Sequence, residues 1–281
     1  MRFAEKYLIL NGKIQPSQSS VEKFIDISSW ISSSFIVRWR SSGTRIPFYS
    51  DQYQRLISII TFLGKQATGL EDEKKFQEIL MRLIQKNRLF KGVELIICLK
   101  PAGNYTDKID YLVICKTHLE EKYVLNDKGL LMTRANPSDH PGFRTILEIS
   151  QDSFEASFWD CQAAVEDVDI LYFTNKKKQL LETTKARIYL IKGNRIFTPA
   201  YKGLNTWGID VSIEKTSKEL GLQFSRSSSI LSEHLNQADE LFIANDLIGI
   251  QWVMGYNDKR FFKKRSPLII EKINGEWEGS N

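Results

Sequence analysis

The stretch that decides the fold runs from Asp169 to Val253. It opens with Asp169-Ile-Leu-Tyr-Phe-Thr-Asn175, passes Leu181-Glu182 and Arg187-Ile-Tyr-Leu190, and turns at Thr198-Pro199. A loop carrying Gly203 then leads into Gly208-Ile209-Asp210-Val211. It closes with Glu240-Leu-Phe-Ile-Ala-Asn-Asp-Leu-Ile-Gly-Ile-Gln-Trp-Val253, a strand, a turn and a strand. Apolar and β-branched runs predict strands at Val168 to Phe173, Ala186 to Ile191 and Arg195 to Phe197. Helical spacing predicts a helix from Gly208 to Leu220, stopped by Gly221. The acid Glu182 sits just ahead of a strand. Together these elements read as a compact α/β unit.

Working outward, Tyr7-Leu-Ile-Leu10, Asn11-Gly12 and Lys13-Ile14 read as a hairpin, and Phe35-Ile-Val-Arg-Trp-Arg40 as a second strand. Leu56, Ile59, Ile60 and Leu63 have helical spacing between Asp51 and Gly64, with Ser50 or Asp51 as cap and Gly64 as stop. Phe76, Ile79, Leu80 and Leu83 mark a second amphipathic helix between Asp72 and Leu89. Val93 to Leu99 and Tyr111 to Cys115 read as strands. This half is therefore an α+β unit with a mostly antiparallel sheet. Asn136-Pro137 and His140-Pro141 break the pattern within 126–142, which reads as a linker between domains 1–125 and 143–281. Ser150 to Val165 reads as a helix with Phe154, Phe158 and Cys161 on one face.

The 281 residues suffice for two domains of ordinary size, and the 42% apolar and 26% charged shares are ordinary globular values. No run of eighteen apolar residues occurs, so no membrane helix is expected. The opening residues lack a secretory pattern, which makes a cytoplasmic protein the expectation. Cys98, Cys115 and Cys161 have no ligand spacing and read as buried free thiols. His118, His140 and His234 show no pairing that suggests a metal or a triad, so no metal is expected. The cluster Lys259-Arg260-Phe-Phe-Lys263-Lys264-Arg265 and the run Lys176–Lys178 read as solvated segments. No nucleic-acid module accompanies them.

From about Tyr7 to Val253 the order of elements resembles the fold-type IV pyridoxal-phosphate enzymes. These are the class IV aminotransferase family, with its branched-chain and D-amino-acid aminotransferases and aminodeoxychorismate lyases. Asn11-Gly-Lys-Ile14 is similar to the family's opening hairpin, and Arg45-Ile-Pro-Phe48 to its short strand before the first helix. Leu181-Glu182 and Arg187-Ile-Tyr-Leu190 resemble the segment carrying the acidic partner of the cofactor. Gly208-Ile209 and Ala238-Asp239-Glu240-Leu241-Phe242 continue the likeness. The resemblance implies a two-domain α+β architecture like that of D-amino-acid aminotransferase, and a homodimer.

It also implies a cofactor site whose parts can be sought one by one. A lysine amine would bind the cofactor aldehyde and a carboxylate would face the pyridine nitrogen. Helix-terminal amides, hydroxyls and an arginine would hold the phosphate. Glu182 takes the carboxylate's place. The lysine's place falls at Ile149, or at Glu148 beside it, and no lysine lies between Lys128 and Lys176. Gly208-Ile209-Asp210 stands where the family has Gly-Ile-Thr, and Asn245-Asp246 where a Ser or Thr follows the Asn. Two hydroxyls have become two carboxylates. Like charges about 4 Å apart cost on the order of 4 kcal/mol at an effective dielectric near 20. The phosphate arginine would be Arg38 or Arg40, on one face of the early strand, either retained or both facing solvent. Arg187 replaces the Asn found five residues after the acid.

Three readings stay open. One is a non-catalytic relative that binds a partner or small molecule. Another is an active aminotransferase or 4-amino-4-deoxychorismate lyase with an unusual lysine. The third is a pocket in which Asp210, Asp246 and Glu182 favour a cation or amine.

Overall fold

The structure, a computed structural model, describes residues 6–17, 27–102, 107–139, 153–200, 208–227 and 229–279. The chain forms two compact units. One is Met1–Lys122 with Ile146–Ser153, and the other is Tyr123–Thr145 with Phe154–Asn281.

The first unit is a five-stranded antiparallel sheet. Its strands are β1 (Tyr7–Leu10), β2 (Lys13–Pro16), β3 (Phe35–Ser42), β4 (Gly92–Pro101) and β5 (Ile109–Leu119), in the order β2-β1-β5-β4-β3. The β1–β2 turn places Asn11 at φ 46° and Gly12 at φ 78°, the two positive angles that a tight hairpin needs. Helix α1 (Ile27–Ser32) packs Ile27, Trp30 and Ile31 on Leu8, Ile36, Ile96, Leu112 and Ile114. On the other side Trp39 meets Tyr49 of α2 (Tyr49–Phe62) and Phe76 of α3 (Glu73–Lys86) edge to face. Asp72 caps α3 by accepting from Lys75 N at 2.9 Å. Helix α2 starts earlier than the expected Ser50 or Asp51 cap. Phe48 precedes it in the left-handed region at φ 52°, and no side chain caps it. Buried Tyr49 and Tyr53, whose hydroxyls donate to the Glu73 and Glu71 carbonyls, fix that start instead.

The second unit is a nine-stranded mixed sheet. Its main path is β11 (Gln223–Ser227), β10 (Arg195–Pro199), β9 (Arg187–Lys192), β12 (Glu240–Asn245), β13 (Gly249–Tyr256), β6 (Leu130–Asp139), β7 (Ile170–Thr174) and β8 (Leu180–Thr183). Strand β14 (Lys259–Arg260) pairs with β13. The segment expected as a linker is thus largely β6, held between β13 and β7 by parallel pairing. Its Asn and Pro residues concealed a strand that Leu131 and Met132 anchor.

Helix α4 (Ser153–Val165) packs Trp159 and Ala163 over Leu171 and Phe173. Phe158 and Cys161 are exposed, contrary to the expected face, and the side chain of Phe154 lies outside the described residues. Helix α5 (Gly208–Glu219) crosses the sheet. Helix α6 (Ser266–Gly279) buries Ile269, Ile270 and Ile273 where a solvated tail was expected.

The cationic cluster before α6 is put to structural use. Lys259 Nζ donates to the Ala238 carbonyl at 2.6 Å, and Lys263 lies over the Trp252 ring. Glu240, 1% exposed, fastens α6 to the sheet. Its carboxylate accepts from the amides of Lys264, Arg265 and Ser266 and from Ser266 Oγ. Truncation of Glu240 to Ala leaves these four donors unpaired and is expected to cost about 3 kcal/mol in urea unfolding. A cost below about 0.5 kcal/mol, the usual range for an inert surface change, would remove Glu240 from this role.

Burial pushes the Cys98 thiol up to about 11, and Cys115 is also buried, while Cys161 is exposed. Alkylation of the native protein should therefore modify Cys161 first, as peptide mass mapping would reveal.

Candidate functional site

The N-terminus of α5 organises the site. Ile209, Ser212, Ile213, Thr216 and Ser217 recur at helical spacing and are buried against the sheet. Gly221, at φ 74°, ends the helix as the left-handed residue past its last turn. The free amides of the first turn point at the turn between β12 and β13. There Asp246, 2% exposed, places Oδ1 2.8 Å from Ile209 N and Oδ2 3.2 Å from Gly208 N. A carboxylate at a helix N-terminus satisfies orphan donors and the positive end of the helix dipole together.

The turn that presents Asp246 is tightly held. Asn245 Oδ1 accepts from Leu247 N and Ile248 N, and Asn245 Nδ2 donates to the Lys185 carbonyl at 2.9 Å. Tyr123 Oη donates to the carbonyl of Asp246 at 2.5 Å. Gly249 follows at φ 71°, and a Cβ there would lie 2.5 Å from the Tyr123 ring. Glycine is required at that position on both counts.

Asp210, 0% exposed, lies one step into the same helix and is turned the other way. Its Oδ2 is 2.8 Å from Arg187 Nη1, and its Oδ1 accepts from Tyr189 Oη. Arg187 and Tyr189 sit two apart on β9, so they share the face that α5 covers. Tyr189 stacks on Phe242 at 4.8 Å, with the ring planes nearly parallel. Complete burial first, and then the negative Asp210, hold the Tyr189 hydroxyl well above its ordinary pKa, so it remains a donor.

Each of the two acids thus has its own partners. One is neutralised by amides and the other by a guanidinium. Arg187 and Asp210, which the sequence resemblance set at the family's Asn and Thr positions, pair with each other. Each departure was noticeable in the sequence, but their pairing was not.

Glu182 lies ahead of β9 as expected, within the short strand β8, and is 8% exposed. The following turn is closed by Thr183, whose Oγ1 donates to the Ala186 carbonyl at 2.7 Å and accepts from Ala186 N. Ile149 and Glu148 lie outside the described residues. In the first unit Arg38 pairs with buried Glu94 at 2.5 Å. Arg40 is buried and donates from Nη2 to the carbonyls of Glu120 and Lys122. Neither arginine is a free solvent-facing cation, as the sequence had left open. Among the described residues no group of three or more His, Cys, Asp or Glu is placed to hold a metal ion. Nor is any helix among them long and apolar enough to cross a membrane.

The structure has the fold of the fold-type IV aminotransferases. Branched-chain aminotransferase of Escherichia coli superposes with a TM-score of 0.79 at 15% identity, over 99% of this chain and 96% of that one. The pyridoxal-phosphate form of the Thermobaculum terrenum enzyme gives 0.79 at 16% identity, over 98% and 94%. A putative 4-amino-4-deoxychorismate lyase of Legionella pneumophila gives 0.74 at 19% identity, over 92% and 97%. Branched-chain amino acid aminotransferase 2 of Humulus lupulus, a chloroplastic protein, is 31% identical over 157 residues. That match covers 54% of this chain and only 33% of its relative. Residues 37–254 match the family model described as amino-transferase class IV, and the chain belongs to that family.

The buried Arg187–Asp210 pair gives a test of the site's electrostatics. Removing one partner of a buried pair strands the other charge, so Arg187→Ala is expected to lose about 3–5 kcal/mol in urea unfolding. Arg187→Met combined with Asp210→Asn removes both charges and keeps an acceptor for Tyr189, so it should cost less than Arg187→Ala alone. Strictly additive losses would contradict the pairing.

Proposed function

We propose that this protein is a non-catalytic member of the class IV aminotransferase family, a binding protein or assembly subunit that works without pyridoxal phosphate. The observation that carries the reading is the Asp246 carboxylate on the amides of Gly208 and Ile209. Those amides open the helix where the family resemblance puts the cofactor phosphate. A phosphate dianion arriving there would meet a carboxylate already in place and a buried ion pair one residue further along. The side chains present do not fit the phosphate. The missing lysine between Lys128 and Lys176 points the same way. The acids at 210 and 246 are also spoken for, which removes the support for a cation or amine seated between them. A homodimer in the cytoplasm completes the proposal by resemblance to the family.

A second reading, an active aminotransferase or lyase using an unusual lysine, draws on Glu182. A carboxylate so buried is costly unless a partner or ligand meets it, and this is where the resemblance places the acid opposite the pyridine nitrogen. One experiment separates the two. The purified protein is incubated with pyridoxal phosphate, freed of excess and treated with borohydride. The proposal expects no visible Schiff-base absorption and no stoichiometric reduced adduct, whereas a reducible one-to-one adduct would establish the second reading. The combination Ile149→Lys, Asp246→Thr, Asp210→Thr and Arg187→Asn should recover cofactor absorption if the rest of the pocket is intact.

A further inference from the structure

A cavity opens on the face of the large sheet opposite α5. Strand alternation separates the two faces cleanly. Arg187 and Tyr189 of β9, Ile196 and Thr198 of β10, and Phe224 of β11 lie on the α5 side, where Tyr189 meets Asp210 and Phe224. Leu190, Lys192, Arg195, Phe197, Ser225 and Ser227 alternate to the other side, and all six line the cavity. The segment after β11 and the 3-10 turn Ser232–Gln237 supply its far wall with Ser229, Ile230 and His234. Its volume is about 560 Å³, within the roughly 300–1,000 Å³ typical of small-molecule sites. Every residue belongs to the second unit.

The lining is chemically one-sided. Leu190, Phe197, Ile230 and Ala238 form an apolar floor, while Lys192 and Arg195 stand at the rim above three serine hydroxyls. No acidic side chain lines the cavity among the described residues. The rim is already ordered. Lys192 Nζ donates to Gln237 Oε1 at 2.9 Å, and Arg195 Nε donates to Gln223 Oε1 at 3.1 Å. These bonds hold both cations through neutral amides and leave their charges without a paired carboxylate among the described residues. Arg195 keeps its terminal guanidinium nitrogens for a fork-shaped contact with a carboxylate or phosphate. His234 Nδ1 accepts from Leu231 N at 2.8 Å, which leaves Nε2 as the nitrogen free to donate. Ser227 and Ser229 share a hydroxyl bond at 2.8 Å, and such a pair can redirect a proton toward an anion.

We propose that this cavity is a binding site for a small organic anion, with an apolar body on the Leu190–Phe197–Ile230 floor and a phosphate or carboxylate between Lys192 and Arg195. It is independent of the α5 terminus, so it stands whether or not that terminus ever accepts a phosphate.

Calorimetric titration at low salt, with phenyl phosphate and benzoate as probes and phenol as the uncharged control, tests the site. Saturable binding of at least one anion is expected, and which one binds names the head group. Lys192→Ser with Arg195→Ser should weaken it by about tenfold or more, as loss of charge-assisted contacts would. Both side chains are exposed, so thermal unfolding should be unchanged. Ser225→Asp, which adds a charge of the wrong sign to the wall, should weaken binding similarly. The absence of saturable binding with either anion overturns the proposal. So does binding that survives the double substitution, or phenol binding as tightly as the anions.

Discussion

The contact between the Asp246 carboxylate and the amides of Gly208 and Ile209 is the constraint on which the site depends. A helix N-terminus inside a protein must find an acceptor for its unpaired donors, and its dipole favours an anion. Here the chain supplies that anion from its own β12–β13 turn. The rest of the turn follows from the need to hold the carboxylate there. Asn245 closes the loop, Tyr123 bonds the carbonyl of Asp246, and Gly249 leaves room for the Tyr123 ring. With the terminus satisfied, a second acid in the first turn needs a cation. Arg187 provides it from the strand beneath, and Tyr189 fixes the remaining oxygen.

A tethered carboxylate has an advantage over any free anion. Its capture carries no loss of translational freedom, because folding has already placed it, whereas a free ligand competes against a high effective concentration. Displacement would also leave Asp246 buried without its donors, a penalty added to that of a second negative charge nearby. A helix end filled in this way is stable as a structural element, and the proposed function rests on the competition it sets against a phosphate. The same fold keeps a different cavity open on the other face of the sheet, lined by cations and hydroxyls with no counter-charge of its own among the described residues.

The order of elements from Asp169 to Val253 was enough to reach the fold, because strand and helix periodicity and the helix stop at Gly221 are set locally in the sequence. Helix α3 was also readable in full, since Phe76, Ile79, Leu80 and Leu83 all face the core. Strand β6 was hidden because its second half carries Asn136 and Pro137, and its pairing depends on strands more than thirty residues away in sequence. Helix α6 was not legible because a basic run precedes it and its start is set by the distant Glu240. The exposure of Cys161 escaped for a similar reason, because local apolar context does not reveal which helical face a sheet will cover. At the site, the changes at 187, 210 and 246 were each visible as departures. That two of them form one ion pair and the third seals the helix end is tertiary information, carried by three separate elements.

The most direct measurement of the central claim is a crystal structure determined in millimolar pyridoxal phosphate. The expected density has both Asp246 oxygens on the amides of Gly208 and Ile209, Arg187 on Asp210, and no phosphorus peak at the α5 terminus. Phosphate oxygens on those two amides, with Asp246 rotated away, would contradict it.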